Sequence, residues 1–276
     1  MSAAHLQGVS RGSLAAAREN LDTLVRGGDV DLSALADQLF AVTVVLDREI
    51  GLRRALTDPA RNGDARAELA RAVFGEWLTG AALDLFVWLV RSSWSGSRDL
   101  ADATEILAAE AVVGAADKAG RLDALEDELF RVGRIVAANP QLRAALSDQS
   151  APAEARVALI EGLLDGKVSQ ETLRLVRQAV AEPRGRHFVD TIEIYGAAAA
   201  DRRSRMVALV TAAVPLTEEQ RERLAAALGR MYGHDVHLNI EIDPELIGGL
   251  RVAIGDEVID GSVATKLDDA RRRLAG

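Results

Sequence analysis

The residues with the clearest chemical potential are the glycines near the C-terminal end, where positions 242–262 read IDPELIGGLRVAIGDEVIDGS. A phosphate-binding loop needs its glycines between a strand and a helix N-terminus, where free backbone amides meet the phosphate. Gly248 and Gly249 instead lead directly into an alternating apolar run, and Gly255 lies in a turn between two such runs. This context favours glycines that supply positive φ and tight turns within a small sheet.

Three other patterns that could carry chemistry are weak. The segment GLLDGKV (162–168) has three residues between its glycines, whereas the Walker motif has four, and it lacks the hydroxyl residue that would hold magnesium. His234 and His237 flank the start of a strand and would point to opposite faces, which disfavours a shared metal. The acidic clusters at 126–128 and 218–219 suit helix starts or helix faces. We therefore predict no catalytic residues, no metal site and no cofactor.

Composition limits the class of protein. The chain has 276 residues, of which 49% are hydrophobic and 27% charged, typical of a globular protein with two or three domains. Aromatic residues make up only 4%, while alanine and leucine dominate, which favours packed helices. The net charge of −9 gives no basic footprint for nucleic acid, and the arginines at 271–273 suit the C-terminal end of a helix.

The composition and the N-terminal sequence also indicate the cellular compartment of the protein. The absence of cysteine excludes disulfides and thiolate chemistry and fits a reducing compartment. The N-terminal residues lack the order of a signal peptide. The most apolar window, 81–90, is too short to span a bilayer. We expect a soluble protein that does not insert into the membrane directly.

An internal repeat organises the helical part of the chain. Residues 35–90 align without a gap on residues 125–180, with 16 identities in 56 pairs. Leu125, Leu129, Val132 and Val136 recur at the spacing of one helix face, and the Asn-Pro pair at 139–140 ends that helix. Further helices are predicted at 154–164, 171–181 and 187–203. Each copy therefore reads as a bundle of five or six helices, the first copy over 1–104 and the second over 105–205.

Residues 206–276 follow a different pattern. A β-branched run from Met206 predicts a strand, and Thr217 with Gln220 forms a capping box for a helix with Leu224, Leu228 and Met231 on one face. Strict alternation predicts a half-buried strand at 236–243. A hairpin follows over 250–259, and Ser262 caps a last helix that buries Val263, Leu267, Ala270 and Leu274. The fold class is thus mainly α, with two duplicated bundles followed by a small α+β domain.

The C-terminal pattern resembles a family signature. The run VHLNIEIDPELIGGLRVAIG followed by DEVIDGSVATKL (236–267) looks like the C-terminal motif of the delta subunit of F-type ATP synthases, also called the oligomycin-sensitivity-conferring protein. The motif residues are Asp243, Pro244, Gly248, Gly249, Gly255, Asp260, Gly261 and Ser262. Ala253 departs from the pattern, in which a polar residue is usual. The second helical copy resembles the family's N-terminal domain, so the chain is similar to a long form in which that domain is duplicated.

The resemblance implies a stator protein that has no catalytic activity of its own. The helical part of such a protein binds N-terminal segments of the alpha subunits, and the C-terminal domain binds the C-terminal helix of the b subunit of the peripheral stalk. The protein would lie on the cytoplasmic face of the plasma membrane as a peripheral part of the ATP synthase complex.

In this family the apolar groove for a partner lies between the first and fifth helices of a bundle. Matching positions in the first copy are Leu14, Leu21, Leu83, Phe86 and Val90, and in the second copy Ile106, Leu107, Val112, Leu173, Val176 and Val180. Singly, such residues are more often plain core. Trp88 and Trp94 are additional candidates, because exposed tryptophan is enriched at interaction hot spots.

Two other interpretations remain open from the sequence alone. A free-standing helical-repeat adaptor unrelated to ATP synthase would explain the duplication and leave the C-terminal motif unexplained. A nucleotide-binding enzyme would need the glycines in a different context.

Overall fold

The structure is a computed structural model that describes residues 6–27, 29–204, 207–232, 236–243, 246, 248–254 and 257–260. The chain forms two compact units, one over Met1–Ala199 and one over Ala200–Gly276. In its described residues the first unit contains helices only, and the last of them continues past Ala199. Its helices are α1 (Val9–Gly27), α2 (Leu32–Arg48), α3 (Ile50–Thr57), α4 (Gly63–Phe74), α5 (Gly80–Arg91), α6 (Ser97–Lys118), α7 (Leu122–Ala138), α8 (Pro140–Ser147), α9 (Ala153–Leu164), α10 (Gln170–Ala181) and α11 (Phe188–Ser204).

Helix ends follow the local sequence. α7 ends before Asn139, whose side chain accepts a hydrogen bond from the backbone of Leu142 at 3.1 Å and so caps α8, with Pro140 as the first residue of that helix. The predicted face of α7, from Leu125 to Val136, is buried. The helices predicted at 154–164, 171–181 and 187–203 are confirmed to within a residue at each end.

The internal repeat is visible in matching side-chain contacts. Arg66 in α4 is buried and donates from Nη1 to the backbone oxygen of Asp58 at 3.3 Å. Ninety residues later, Arg156 in α9 is also buried and donates from Nη1 to the backbone oxygen of Asp148 at 3.2 Å. Each aspartate side chain in turn accepts a backbone N–H two residues further on. The two copies therefore reproduce the same local fold.

The 22-residue helix α6 is the centre of the helical unit. It contacts α1, α2, α3 and α5 of the first copy and α7 and α10 of the second. Small side chains allow this close packing: a Cβ at Gly114 would lie 3.2 Å from Cγ2 of Val25 and 3.5 Å from Cδ1 of Leu32. The helix runs without a break through residues 104 and 105, where the sequence placed a boundary, and the division of the helical part into two domains stays a prediction.

The second unit is a four-stranded sheet with a crossover helix. Its elements are β1 (Val207–Ala212), α12 (Glu218–Tyr232), β2 (His237–Ile242), β3 (Leu250–Ile254) and β4 (Glu257–Asp260), and the strand order is β2-β1-β3-β4. β1 pairs with β2 in parallel and with β3 in antiparallel orientation. Its core is formed by Ala208, Val210, Leu228, Val236, Val252 and Ile254. The predicted mainly-α architecture with a small C-terminal α+β part is confirmed.

The capping box is also confirmed. The backbone N–H of Thr217 donates to the Gln220 side chain at 2.9 Å, and the backbone N–H of Gln220 donates to the Thr217 hydroxyl at 3.3 Å. Burial varies along the two patterned faces. Met231, near the end of α12, is 53% exposed, and Ile242, in the edge strand β2, is also 53% exposed. The final helix predicted over 263–274 lies outside the described residues.

Candidate functional site

The glycine-rich stretch forms part of the sheet. Gly248 and Gly249 have φ values of 146° and 83° and lead directly into β3, as expected for glycines that supply positive φ. Asp243 extends the pairing of β2, because its N–H donates to the backbone oxygen of Ala212 at 3.0 Å, and Asp260 is the last residue of β4. Pro244, Gly255, Gly261 and Ser262 lie outside the described residues.

Most predicted partner-binding side chains are already enclosed in the free chain. Eight of them are buried: Leu14, Leu21, Phe86, Val90, Leu107, Val112, Val176 and Val180. Five are half-buried: Leu83, Trp88, Trp94, Ile106 and Leu173. A side chain of the first group has little surface left for a partner, so only the second group remains available as predicted contacts.

The exposed tryptophan is a different one. Trp94 is half-buried, and its indole N–H donates to the backbone oxygen of Leu89 at 2.9 Å. Trp77, which follows α4, is 40% exposed and lies 5.3 Å from the ring of Phe74. The sequence signal for Trp77 was its place just after Gly75 and Glu76, beyond the last turn of a helix.

The most distinctive polar site is the turn between α10 and α11. The N–H of Arg186 donates to the backbone oxygen of Pro183 at 2.9 Å, and the two central residues, Arg184 and Gly185, have φ values of 54° and 74°. Two positive φ values define a type I′ turn. A non-glycine residue in this region costs about 1–2 kcal/mol, so other contacts must hold Arg184 in place.

Those contacts are three carboxylates on two helices. The Arg184 guanidinium, only 3% exposed, pairs with Asp102 at 2.8 Å, with Asp47 at 3.2 Å through Nη2, and with Glu105. Asp47 lies on α2, and the other two acids lie on α6. Glu105 is 1% exposed, pairs also with Arg186, and accepts the Tyr195 hydroxyl at 3.1 Å. We call these six residues the junction cluster: Asp47, Asp102, Glu105, Arg184, Arg186 and Tyr195.

Burial and neighbouring charges shift the pKa values of three residues in the junction cluster. Burial lowers the pKa of Arg184, but the hydrogen bond that Arg184 donates to Asp47 and the charges of Glu105 and Asp102 outweigh it, so the net shift is upward. Burial also raises the pKa of Asp102, against the opposing charge of Arg184. The pKa of Tyr195 is raised well above 10.0, first by burial and then by the negative charge of Glu105. Arg184 is therefore charged and Tyr195 protonated at neutral pH.

The junction cluster joins the two helical copies. Its acids come from α2 and α6, its two arginines come from the segment between α10 and α11, and Tyr195 lies on α11. More pairs lie alongside, since Arg48 pairs with Glu182 at 3.0 Å and Arg174 with Asp37 at 3.2 Å. In the sequence, residues 183–185 simply fall in the gap between the helices predicted at 171–181 and 187–203. The signal that was available is an arginine placed between proline and glycine, where a turn residue such as asparagine is usual.

The C-terminal unit carries a separate surface groove. It encloses about 530 Å³ and is lined by Leu216, Gln220, Arg223, Leu224, Ala226, Ala227, Arg230 and Leu250. Arg223 and Arg230 are exposed at its rim. An apolar floor with a basic rim suits an amphipathic helix that carries acidic residues.

The described residues contain neither a membrane-spanning helix nor a metal-binding cluster. Among the described residues, no helix is both long and apolar enough to cross a bilayer. Within those same ranges, no group of three or more His, Asp or Glu side chains is placed to hold a metal ion.

Comparison with known proteins identifies the relatives of this chain. The family model for the ATP synthase delta (OSCP) subunit matches residues 109–274. The chain is 54% identical to ATP synthase subunit delta of Streptomyces coelicolor over 98% of both chains, and 51% identical to that of Kineococcus radiotolerans over the same shares. A chain from a Toxoplasma gondii mitochondrial ATP synthase is 21% identical over 61% of this chain, with a TM-score of 0.32, which is too low for a structural argument.

Proposed function

The chain belongs to the ATP synthase delta (OSCP) family, and on that premise we propose that it is the delta subunit of a proton-translocating F-type ATP synthase. The observation that carries this proposal is the 54% identity to an ATP synthase subunit delta over 98% of both chains. Such a match covers nearly the whole chain, including the first helical copy. A free-standing adaptor is not favoured, because the similarity extends over both the helical unit and the sheet.

In this role the protein is a non-catalytic part of the stator. The helical unit binds N-terminal segments of the alpha subunits, and the C-terminal unit binds the end of the b subunit. The groove along α12 supports the second contact, because its basic rim at Arg223 and Arg230 complements an acidic amphipathic helix. The complex holds the protein peripherally at the cytoplasmic face of the plasma membrane.

The junction cluster fits a component that must resist torque. Arg184 holds α2 and α6 to the segment that links α10 with α11, so a force on one copy is carried to the other. Buried charge pairs resist separation, because parting them leaves an uncompensated charge in the interior.

The test uses the full chain with an affinity tag, expressed in place of the native one. Purification from detergent-solubilised membranes should recover both the alpha and b subunits, and recovery of neither would refute the proposal. Reversing the rim charges with Arg223→Glu and Arg230→Glu should reduce recovery of b while alpha is retained. The matched control is Arg54→Glu with Arg71→Glu, which makes the same charge change at exposed positions of the helical unit. Tight binding of ATP by the isolated chain in calorimetry would favour a nucleotide-binding enzyme instead.

A further inference from the structure

The groove on the C-terminal unit is lined along one side by a single face of α12. The lining residues of this helix form two adjacent rows with steps of three and four residues, namely Gln220, Leu224 and Ala227 in one row and Arg223, Ala226 and Arg230 in the other. Leu216 and Leu250 complete the lining from outside the helix. Together with Leu224 they are half-buried and pack against the core of the unit. The floor of the groove is therefore apolar and held in place by the core.

The middle of this face of α12 carries only small side chains. Ala226 and Ala227 are exposed, and they lie midway between Arg223 and Arg230 in the sequence. Their methyl groups are short beside the neighbouring leucine and arginines, so the surface is lower at this point. A packed helix places a bulky side chain where its partner has small ones. The groove thus offers space for one large apolar side chain between the two arginines.

The two arginines of the groove have no partner of their own. Arg223 and Arg230 are exposed, and neither makes an ion pair or a side-chain hydrogen bond with any residue in the described ranges. Arg221, on another side of α12, instead lies 3.5 Å from Glu218. Glu219 precedes Arg223 by one turn and does not line the groove. Seven residues of helix span about 10.5 Å, so the rim holds two positive charges at that spacing.

We propose that the groove recognises a specific pattern in the b subunit: a helix with two carboxylates seven residues apart and one bulky apolar side chain midway between them. The carboxylates pair with Arg223 and Arg230, and the apolar side chain enters the depression at Ala226 and Ala227. This inference rests on the proposed function and adds to it the side chains that make the contact. The two arginines alone would accept many acidic helices, whereas the depression between them selects for shape as well as charge.

A second copy of this chain does not offer that pattern freely. Among the described helices, carboxylates seven residues apart are found at Glu110 and Asp117 in α6 and at Glu154 and Glu161 in α9. In α6, Glu110 pairs with Arg18 at 2.6 Å, and Val113 between the two acids is only 1% exposed. In α9, Glu161 pairs with Arg177. Both sets are already engaged within the chain, so a different subunit is the expected occupant.

The first test fills the depression without changing the charge. Ala227→Leu is introduced into the tagged full-length chain, which is then purified from detergent-solubilised membranes. Alanine and leucine are both strong helix formers, so α12 is retained. We expect recovery of the b subunit to fall about tenfold, because the added side chain occupies the space that the partner needs, while recovery of alpha is unchanged. Ala145→Leu is the matched control, since Ala145 is an exposed alanine of α8 in the helical unit.

The second test identifies the carboxylates. Arg223→Glu together with Arg230→Glu removes both positive charges of the groove, and acidic residues of the b subunit are exchanged for lysine in pairs seven residues apart. One such pair should restore recovery of b with the doubly substituted chain, because the two sets of charges are then simply interchanged.

Each outcome decides the question. Unchanged recovery of b with Ala227→Leu would overturn the inference while leaving the proposed function intact. Restoration by acidic residues at another spacing, or by no pair at all, would also overturn it. A lower thermal unfolding temperature of the free Ala227→Leu chain would do the same, since another part of this chain would then fill the groove. Loss of both alpha and b from the unsubstituted chain would count against the proposed function instead.

Discussion

Replacing Arg184 with methionine should weaken the whole helical unit. The substitution removes the only cation that bridges α2 and α6 within the junction cluster, while it keeps a side chain of similar length and the same turn. Asp47 and Asp102, at 25% and 32% exposed, can regain water, but Glu105 at 1% cannot and keeps only Arg186 and Tyr195. Breaking one partner of a buried pair costs about 3–5 kcal/mol. Each lost hydrogen bond to a charged group is worth about 1.5–3 kcal/mol when it is considered separately. The sum of these values exceeds the expected loss, because contributions within one cluster are not additive.

Tryptophan fluorescence provides a selective assay, because the three tryptophans at 77, 88 and 94 all lie in the first copy. Arg184 follows the second copy's α10, so a shift in the fluorescence transition reports coupling between the copies. With a urea m-value of about 2–3 kcal/mol/M, we expect the midpoint to fall by about 1–2 M. Arg177→Met is the control, since Arg177 is 51% exposed in its pair with Glu161 and exposed pairs contribute little.

Two results would refute this reasoning. An unchanged fluorescence midpoint together with an earlier loss of helical circular dichroism would mean that the second copy unfolds alone and the cluster does not couple the copies. An unchanged transition by both probes would mean that the ion pairs contribute no net stability.

The remaining predictions concern pH and backbone conformation. Tyr195→Phe should cost about 1 kcal/mol through the lost bond to Glu105. The pKa of Tyr195 in the folded state lies above its unfolded value of 10.0. The stability that the Tyr195 hydroxyl contributes is therefore fully present below pH 10 and is lost as the pH rises above that value. The difference in urea midpoint between wild type and variant should accordingly shrink as pH rises from about 8 to about 11. Gly249→Ala should destabilise the C-terminal unit by about 1 kcal/mol, because Gly249 has φ 83°. Gly12→Ala, in α1 with open space at its Cβ, should stabilise the helical unit by about 0.5–1 kcal/mol in thermal unfolding.

Much of the secondary structure could be predicted from short-range sequence patterns. The capping box at Thr217, the stop at Asn139 and the alternation in β2 are each set by neighbouring residues, so they can be read from a short window. The repeat could also be found without coordinates, since Arg66 and Arg156 occupy matching positions. Met231 and Ile242 follow the same periodicity, but their exposure depends on where the helix ends and which strand lies at the edge.

The junction cluster could not be predicted in this way. Asp47, Glu105 and Arg184 lie far apart in the sequence, and each acid has the appearance of an ordinary solvent-facing residue on a helix. Only the packing of α2 against α6 brings the acids together, and only a turn with two positive φ values directs the arginine into them.

The central position of α6 has a consequence for shortened versions of the protein. Thirteen of the 22 residues of this helix are buried, including alanines at 101, 103, 108, 109, 111 and 116. A polypeptide that began near residue 97 would present one whole flank of small apolar side chains to water, because α1, α2 and α3 would no longer shield it. A shortened protein that keeps only the second copy would therefore need charged residues in place of those small apolar side chains. The sequence of each copy thus depends on the presence of the other copy.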